Sequence, residues 1–168
     1  MKLDVQTKDF PESFYAFIEI PEGSNCKYEY HFDVENVVLD RILFTSMNYP
    51  TNYGFILDTK GKDGDPLDVL VYSSVPINSG MVVKCKPVGI AEMDDEEGSD
   101  NKVIAVPVNK VDPMSENFND VDDLPEYLKN KIKHFFEHYK ELEKGKFMHF
   151  TDFKDKEEAK KQIKESKL

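Results

Sequence analysis

The chain has 168 residues, 39% of them hydrophobic and 33% charged, and carries a formal net charge of −11. One domain over residues 1–168 is expected from that length, and the acidity argues against a nucleic-acid binder or a partner of anionic membranes, which need basic surfaces. Two cysteines, Cys26 and Cys85, make neither a disulfide framework nor a zinc site; with no leader-like start and no apolar run of membrane-spanning length, a reduced cytoplasmic setting is expected.

In chain order, residues 14–20 (Phe-Tyr-Ala-Phe-Ile-Glu-Ile) are aromatic and β-branched and read as a strand, halted by Pro21-Glu22-Gly23-Ser24. Residues 26–32 alternate, with Lys27 and Glu29 on one face and Tyr28, Tyr30 and Phe32 on the other. A third strand is expected over residues 37–44. Residues 47–54 read as a loop leading into Phe55-Ile56-Leu57. Further strands are expected over residues 69–72, 81–88 and 103–108. Short strands with frequent turn signals predict a β-barrel instead of a parallel sheet. After Val121 the pattern changes. Asp122 or Asp123 is placed to cap a helix and Pro125 suits its first turn. Leu124, Leu128, Ile132, Phe135, Phe136, Tyr139 and Leu142 then recur at helical spacing until Gly145. A weaker helix over residues 154–166 has Ala159 and Ile163 as its apolar anchors. The expected class is α+β, mainly β: a small barrel with two C-terminal helices packed against it.

The most informative stretch is Asp63-Gly64-Asp65-Pro66-Leu67-Asp68-Val69-Leu70-Val71, where three carboxylates fall within six residues on a turn that enters a strand. Clustered carboxylates repel, and either raised pKa values or a hard divalent cation relieves them. A solvated acidic turn fits this segment alone equally well. An EF-hand loop starting at Asp63 fails at Leu67, Asp68 and Ser74, where an oxygen ligand, Gly and Glu are required. An aspartyl nucleophile is also disfavoured, because a polar turn, Thr59-Lys60-Gly61-Lys62, precedes Asp63 instead of a buried strand. A second acidic run, Asp94-Asp95-Glu96-Glu97 before Gly98, Asp100 and Lys102, is by itself a solvated hairpin tip. Together the two runs supply ligands for a multi-metal site that clamps a phosphoryl group.

Asp63-Gly64-Asp65-Pro66-Leu67-Asp68 matches the D-G-D-P-x-D signature, and with it the chain resembles the Mg²⁺-dependent inorganic pyrophosphatases of the β-barrel family in their short bacterial form. The likeness continues through Ile18-Glu19-Ile20-Pro21, Lys27-Tyr28-Glu29, Asp40-Arg41, Tyr49-Pro50-Thr51-Asn52-Tyr53-Gly54, Asp100-Asn101-Lys102 and the run from His134 to Lys140. It implies a closed OB-like barrel that splits pyrophosphate, entering as a magnesium complex, into two orthophosphates. It also implies assembly as a homohexamer.

The same resemblance assigns residues. Asp63, Asp68, Asp95, Asp100, Glu19 and Glu29 are implied as holders of several Mg²⁺ ions, Asp65 as the general base for a water bridging two metals, and Lys27, Arg41, Tyr53, Lys102, Tyr139 and Lys140 as the phosphate-binding set. Each has an ordinary alternative in the residues alone. Lys27 and Glu29 fit a same-face ion pair, Arg41 a surface residue, Tyr139 helix packing and Lys140 a solvated lysine. His134 and His138, at helical spacing, fit packing better than a metal pair without a third ligand. A catalytically silent metal-binding barrel, a nucleoside triphosphate pyrophosphohydrolase and a nucleic-acid-binding barrel are the rival functions. The second lacks a base-stacking pocket or Gly-rich loop, and the third a basic surface.

Overall fold

Side chains alternate along an extended chain, and here the alternation sorts most buried apolar residues into two large clusters, with a third, smaller one of Phe17, Tyr30, Phe55 and Leu57. The computed structural model describes residues 2–168. In chain order the strands are β1 (Phe14–Ile20), β2 (Cys26–His31), β3 (Asn36–Ile42), β4 (Asn52–Ile56), β5 (Asp68–Val71), β6 (Val82–Asp95), β7 (Gly98–Ser99), β8 (Lys102–Pro107) and β9 (Met148–Lys154). The helices are α1 (Glu126–His138) and α2 (Lys156–Glu165). Strands β1, β4, β5, β8 and β6 pair in that order, and β6 pairs again with β1, which closes the ring. Phe14, Ala16, Ile18, Ile56, Val69, Val71, Cys85, Val103 and Ala105 form one buried cluster drawn from all five strands, completed by Ala159 and Ile163 of α2. The alternate positions Leu70, Ile104 and Val106 join a second cluster with Leu128, Ile132, Phe135 and Phe136 of α1. The expected OB-like barrel with two C-terminal helices is the observed fold.

The expected boundaries shift where backbone contacts override local pattern. β6 does not stop at residue 88 but runs to Asp95, because a bulge between Pro87 and Gly89 bends it from β1 towards β9. β9 itself has no counterpart in the sequence reading. The supposed loop over residues 47–54 ends early, since β4 begins at Asn52. Asn52 is fully buried and bonded on every side: its Oδ1 accepts from Glu22 N–H (3.0 Å) and Ile77 N–H (2.8 Å), and its Nδ2 donates to Val71 O (3.0 Å) and Ser73 Oγ (2.8 Å). Gly54 is required by closeness, because a Cβ there would lie 1.8 Å from the Phe17 carbonyl oxygen of the paired strand β1.

The helical region also departs from expectation at its ends. Asp123 does not cap α1; with Asp120 it forms a capping box around the short 3-10 turn Val121–Asp123, and Pro125 stands at the N-cap of α1 without a side-chain bond. The helix ends at His138, so Leu142 leaves the apolar stripe and is 64% exposed, and Gly145 (φ 75°) closes the following turns. Helix α2 starts after Asp155, whose side chain accepts from Glu158 N–H at 3.0 Å, since β9 retains Lys154. Among the described residues no helix is long and apolar enough to cross a membrane.

Candidate active site

The pleat that turns Val69 and Val103 inward turns Asp68 and Lys102 outward, to the wall of a cavity of about 640 Å³. The β2–β3 hairpin, the acidic turn before β5, the β6–β7 tip and the turns after α1 complete the wall. All the site residues implied by the resemblance line this cavity.

The acidic turn is shaped by its backbone. Gly61 N–H donates to Asp65 O (2.7 Å), Asp65 N–H to the Asp63 carboxylate (3.0 Å), and Gly64 adopts φ 94°, a conformation that favours glycine. Asp63 and Asp65 are thereby exposed at the cavity mouth and Asp68 is half-buried at the strand entrance. Burial, and then the negative charges of Asp63, Asp68 and Glu29, raise the Asp65 carboxyl above the usual carboxylate range. On the opposite wall Asp100 is fixed by its own N–H to Met93 O (2.8 Å), and Asp95 accepts from Glu97 N–H (2.8 Å).

Cations are threaded between these acids. Lys102, 3% exposed, places Nζ 2.6 Å from Asp68 and 2.7 Å from Asp100. Burial pulls its pKa down, but the two carboxylates outweigh burial and hold it raised. Lys140 is buried, not solvated, with Nζ 3.2 Å from Glu96 and 3.9 Å from Asp95. The simple Lys27–Glu29 pair does not form: Lys27 stands 3.6 Å from Asp40, and Glu29 lies 3.5 Å from His31. Arg41 donates from Nη1 to Asp40 and sets Nε 2.9 Å from Glu143. Two phenols complete the wall. Burial, then Asp68 and Asp100, push Tyr53 well above its ordinary value, and burial chiefly pushes Tyr139 up to about 12, so both remain hydrogen-bond donors at neutral pH.

Glu19 is the deepest acid. It falls at a bulge of β1 against β4, and its carboxylate accepts from Tyr30 N–H at 2.7 Å. Burial first, and then the charges of Asp68 and Glu29, push its carboxyl up from 4.5 to about 8. Between those two values the folded protein holds this proton more tightly than the unfolded chain does, so metal-free stability falls as pH rises through the window. Glu19→Gln removes that titration and is expected to flatten the fall, by at most about 5 kcal/mol. Melting curves in chelator are expected to place the variant above wild type at about pH 9 and close to it at about pH 5. Parallel curves would show that another group titrates.

The lining residues outside the expected set include Glu96, Glu143 and Lys146. Burial alone would raise the Glu96 carboxyl, but its own backbone N–H first, and then Lys146, Phe147 N–H and Lys140, outweigh burial and bring it down to about 2. Glu96 sat inside the charge run that read as a solvated tip, and Glu143 and Lys146 lie in a polar turn with no distinguishing pattern.

A closed barrel carrying a cavity of interleaved hard oxygen donors and ammonium or guanidinium groups has the chemistry to hold divalent cations and a small polyanion together. A family model described as Inorganic pyrophosphatase matches residues 16–168. The inorganic pyrophosphatase of Thermoplasma volcanium is 67% identical over 163 residues, covering 97% of this chain and 96% of that one. That of Saccharolobus solfataricus is 53% identical over 95% of this chain and 92% of its own. The crystal structure of the Thermus thermophilus inorganic pyrophosphatase superposes with a TM-score of 0.94 at 41% identity, covering 98% of this chain and 95% of that one. The chain belongs to the inorganic pyrophosphatase family, hydrolases of pyrophosphate.

Proposed function

We propose that this chain hydrolyses inorganic pyrophosphate to two orthophosphates with several Mg²⁺ ions at the cavity, the substrate arriving as its magnesium complex. The donor set fits such ions. Asp63, Asp68, Asp95, Asp100, Glu19 and Glu29 offer hard oxygen atoms, the type Mg²⁺ prefers. Among the described residues no three acids draw close enough to grip an ion unaided. Mg²⁺ keeps much of its water and takes few carboxylates, so donors spread around a wall suit it. Bound there, the metal would neutralise phosphate charge and lower the pKa of a water nucleophile towards neutrality.

The chain's own groups do the rest. Lys27, Arg41, Lys102 and Lys140 bind the phosphate oxygens, with Arg41 offering a planar donor edge where the lysines act as point charges. Tyr53 and Tyr139 donate phenolic hydrogen bonds. Asp65 takes the proton of the attacking water, its raised pKa improving it as a base. Phosphoryl transfer needs little covalent work, so positioning and charge stabilisation supply most of the rate. The observation that carries this reading is Lys102, whose ammonium stands between Asp68 and Asp100 and so joins the metal-holding and phosphate-binding sets in one place. Phosphate release from pyrophosphate, measured with Mg²⁺ and with a chelator, tests it: release is expected only in the first.

A further inference from the structure

Two polar side-chain atoms buried beside the cavity lack hydrogen-bond partners, Arg41 Nε and Glu143 Oε2. They belong to one ion pair. Glu143 Oε1 lies 2.9 Å from Arg41 Nε, with 10% of the Glu143 side chain exposed and 25% of the Arg41 side chain. The approach is off the N–H axis, so the charges are paired while the bond is left unmade. Leaving such groups unsatisfied is costly, and a native structure that keeps two together calls for a reason.

The surroundings supply one. Arg41 spends Nη1 on Asp40 of its own strand and turns its Nε edge to Glu143, so both acids hold the guanidinium from its flanks. Glu143 comes from a different element, the turns after α1, tied to the barrel side by Thr45 Oγ1 donating to Tyr139 O at 3.3 Å and internally by Glu143 N–H donating to Lys140 O at 3.0 Å. A carboxylate held there fixes the rotation of the guanidinium and cancels part of its charge. Both matter for a group that must grip a phosphate and then let it go, because an unopposed guanidinium in a partly buried wall binds an anion strongly and releases it slowly.

We infer that Glu143 is a positioning residue for Arg41: it holds the guanidinium by its Nε edge at the wall of the cavity, fixes its orientation towards the phosphate, and moderates the charge so that product leaves. This rests on the cavity being the pyrophosphate site. Two variants separate aiming from moderation, read by calorimetric titration of inorganic phosphate into Mg²⁺-loaded protein. Glu143→Gln keeps the shape and a polar oxygen beside Arg41 but loses the charge. Its phosphate affinity is expected to rise roughly threefold to tenfold, with kcat falling as release slows. Glu143→Ala loses the hold altogether, and affinity is expected to drop about tenfold, seen also as a raised KM. A purely structural role would move both variants the same way, in step with their melting temperatures. In an Arg41→Lys background the difference between the two variants is expected to vanish. Glu143→Gln binding phosphate no more tightly than wild type overturns the inference, as does Glu143→Ala binding as well as wild type. A wild type that binds no phosphate overturns the phosphate site itself, and the role of Glu143 with it.

Discussion

Asp65→Asn is expected to lower kcat for pyrophosphate by about 10²–10⁴-fold at saturating Mg²⁺, while the melting temperature shifts by only about 2 °C or less. The two effects separate because the backbone of the acidic turn does not depend on this side chain. Gly61 N–H bonds the Asp65 carbonyl and Asp65 N–H bonds the Asp63 carboxylate, and the amide variant keeps both. What it loses is the capacity to accept a proton. Burial and the nearby Asp63, Asp68 and Glu29 raise the Asp65 carboxyl, moving its basicity towards the operating pH. Initial rates, with Mg²⁺ raised until they no longer change, check this. Retention of most of the wild-type kcat would move the base to another residue.

Lys102→Met is expected to produce a split result: metal-free protein about 3 kcal/mol less stable, kcat/KM lower by about 10²-fold or more, and Mg²⁺ bound more tightly. Lys102 is buried, with Asp68 at 2.6 Å and Asp100 at 2.7 Å. Its removal leaves two carboxylates facing each other without a counter-charge, the arrangement that is strongly destabilising when one partner of a buried pair is deleted. The same two acids are proposed metal ligands, so a divalent ion replaces the missing charge and no longer meets a neighbouring ammonium. Saturating Mg²⁺ is therefore expected to restore most of the lost stability but not the activity, since the proposed phosphate contact is gone. Chemical denaturation with and without Mg²⁺, beside a calorimetric Mg²⁺ titration, reads all three. Unchanged Mg²⁺ affinity would show that Lys102 and the metal do not share Asp68 and Asp100.

Much of this site was legible because its chemistry is written in local clusters. The D-G-D-P-x-D turn combines carboxylates with residues whose backbone demands are strict, and Gly64 at φ 94° meets one of them. Its neighbour Asn52-Tyr53-Gly54 was legible only as a family likeness. Its physical reasons, four bonds to a buried amide and a carbonyl 1.8 Å from where a Cβ would stand, exist between strands and leave no periodic trace. β9 was missed for a related reason. Met148 and Phe150 are buried with exposed His149 between them, but the run follows a glycine turn and carries polar residues at most of its other positions, and only pairing with β6 makes it a strand. Leu142 misled in the opposite direction, since its spacing continued the stripe of α1 past the point where the helix stops. Glu143, one residue on, could not be singled out at all. Its meaning lies in Arg41, which is remote in sequence and 2.9 Å away in space.

Metal-dependent hydrolysis at this cavity is read by phosphate release from pyrophosphate by the wild-type protein, with Mg²⁺, in chelator, and with Mg²⁺ plus excess Ca²⁺. Two phosphates per pyrophosphate are expected with Mg²⁺, none above background in chelator, and fewer with excess Ca²⁺, which takes more ligands in a looser arrangement than Mg²⁺. Equal release with and without Mg²⁺ would contradict the metal-holding role given to the acids. No release from folded, Mg²⁺-loaded protein would contradict hydrolysis at this cavity.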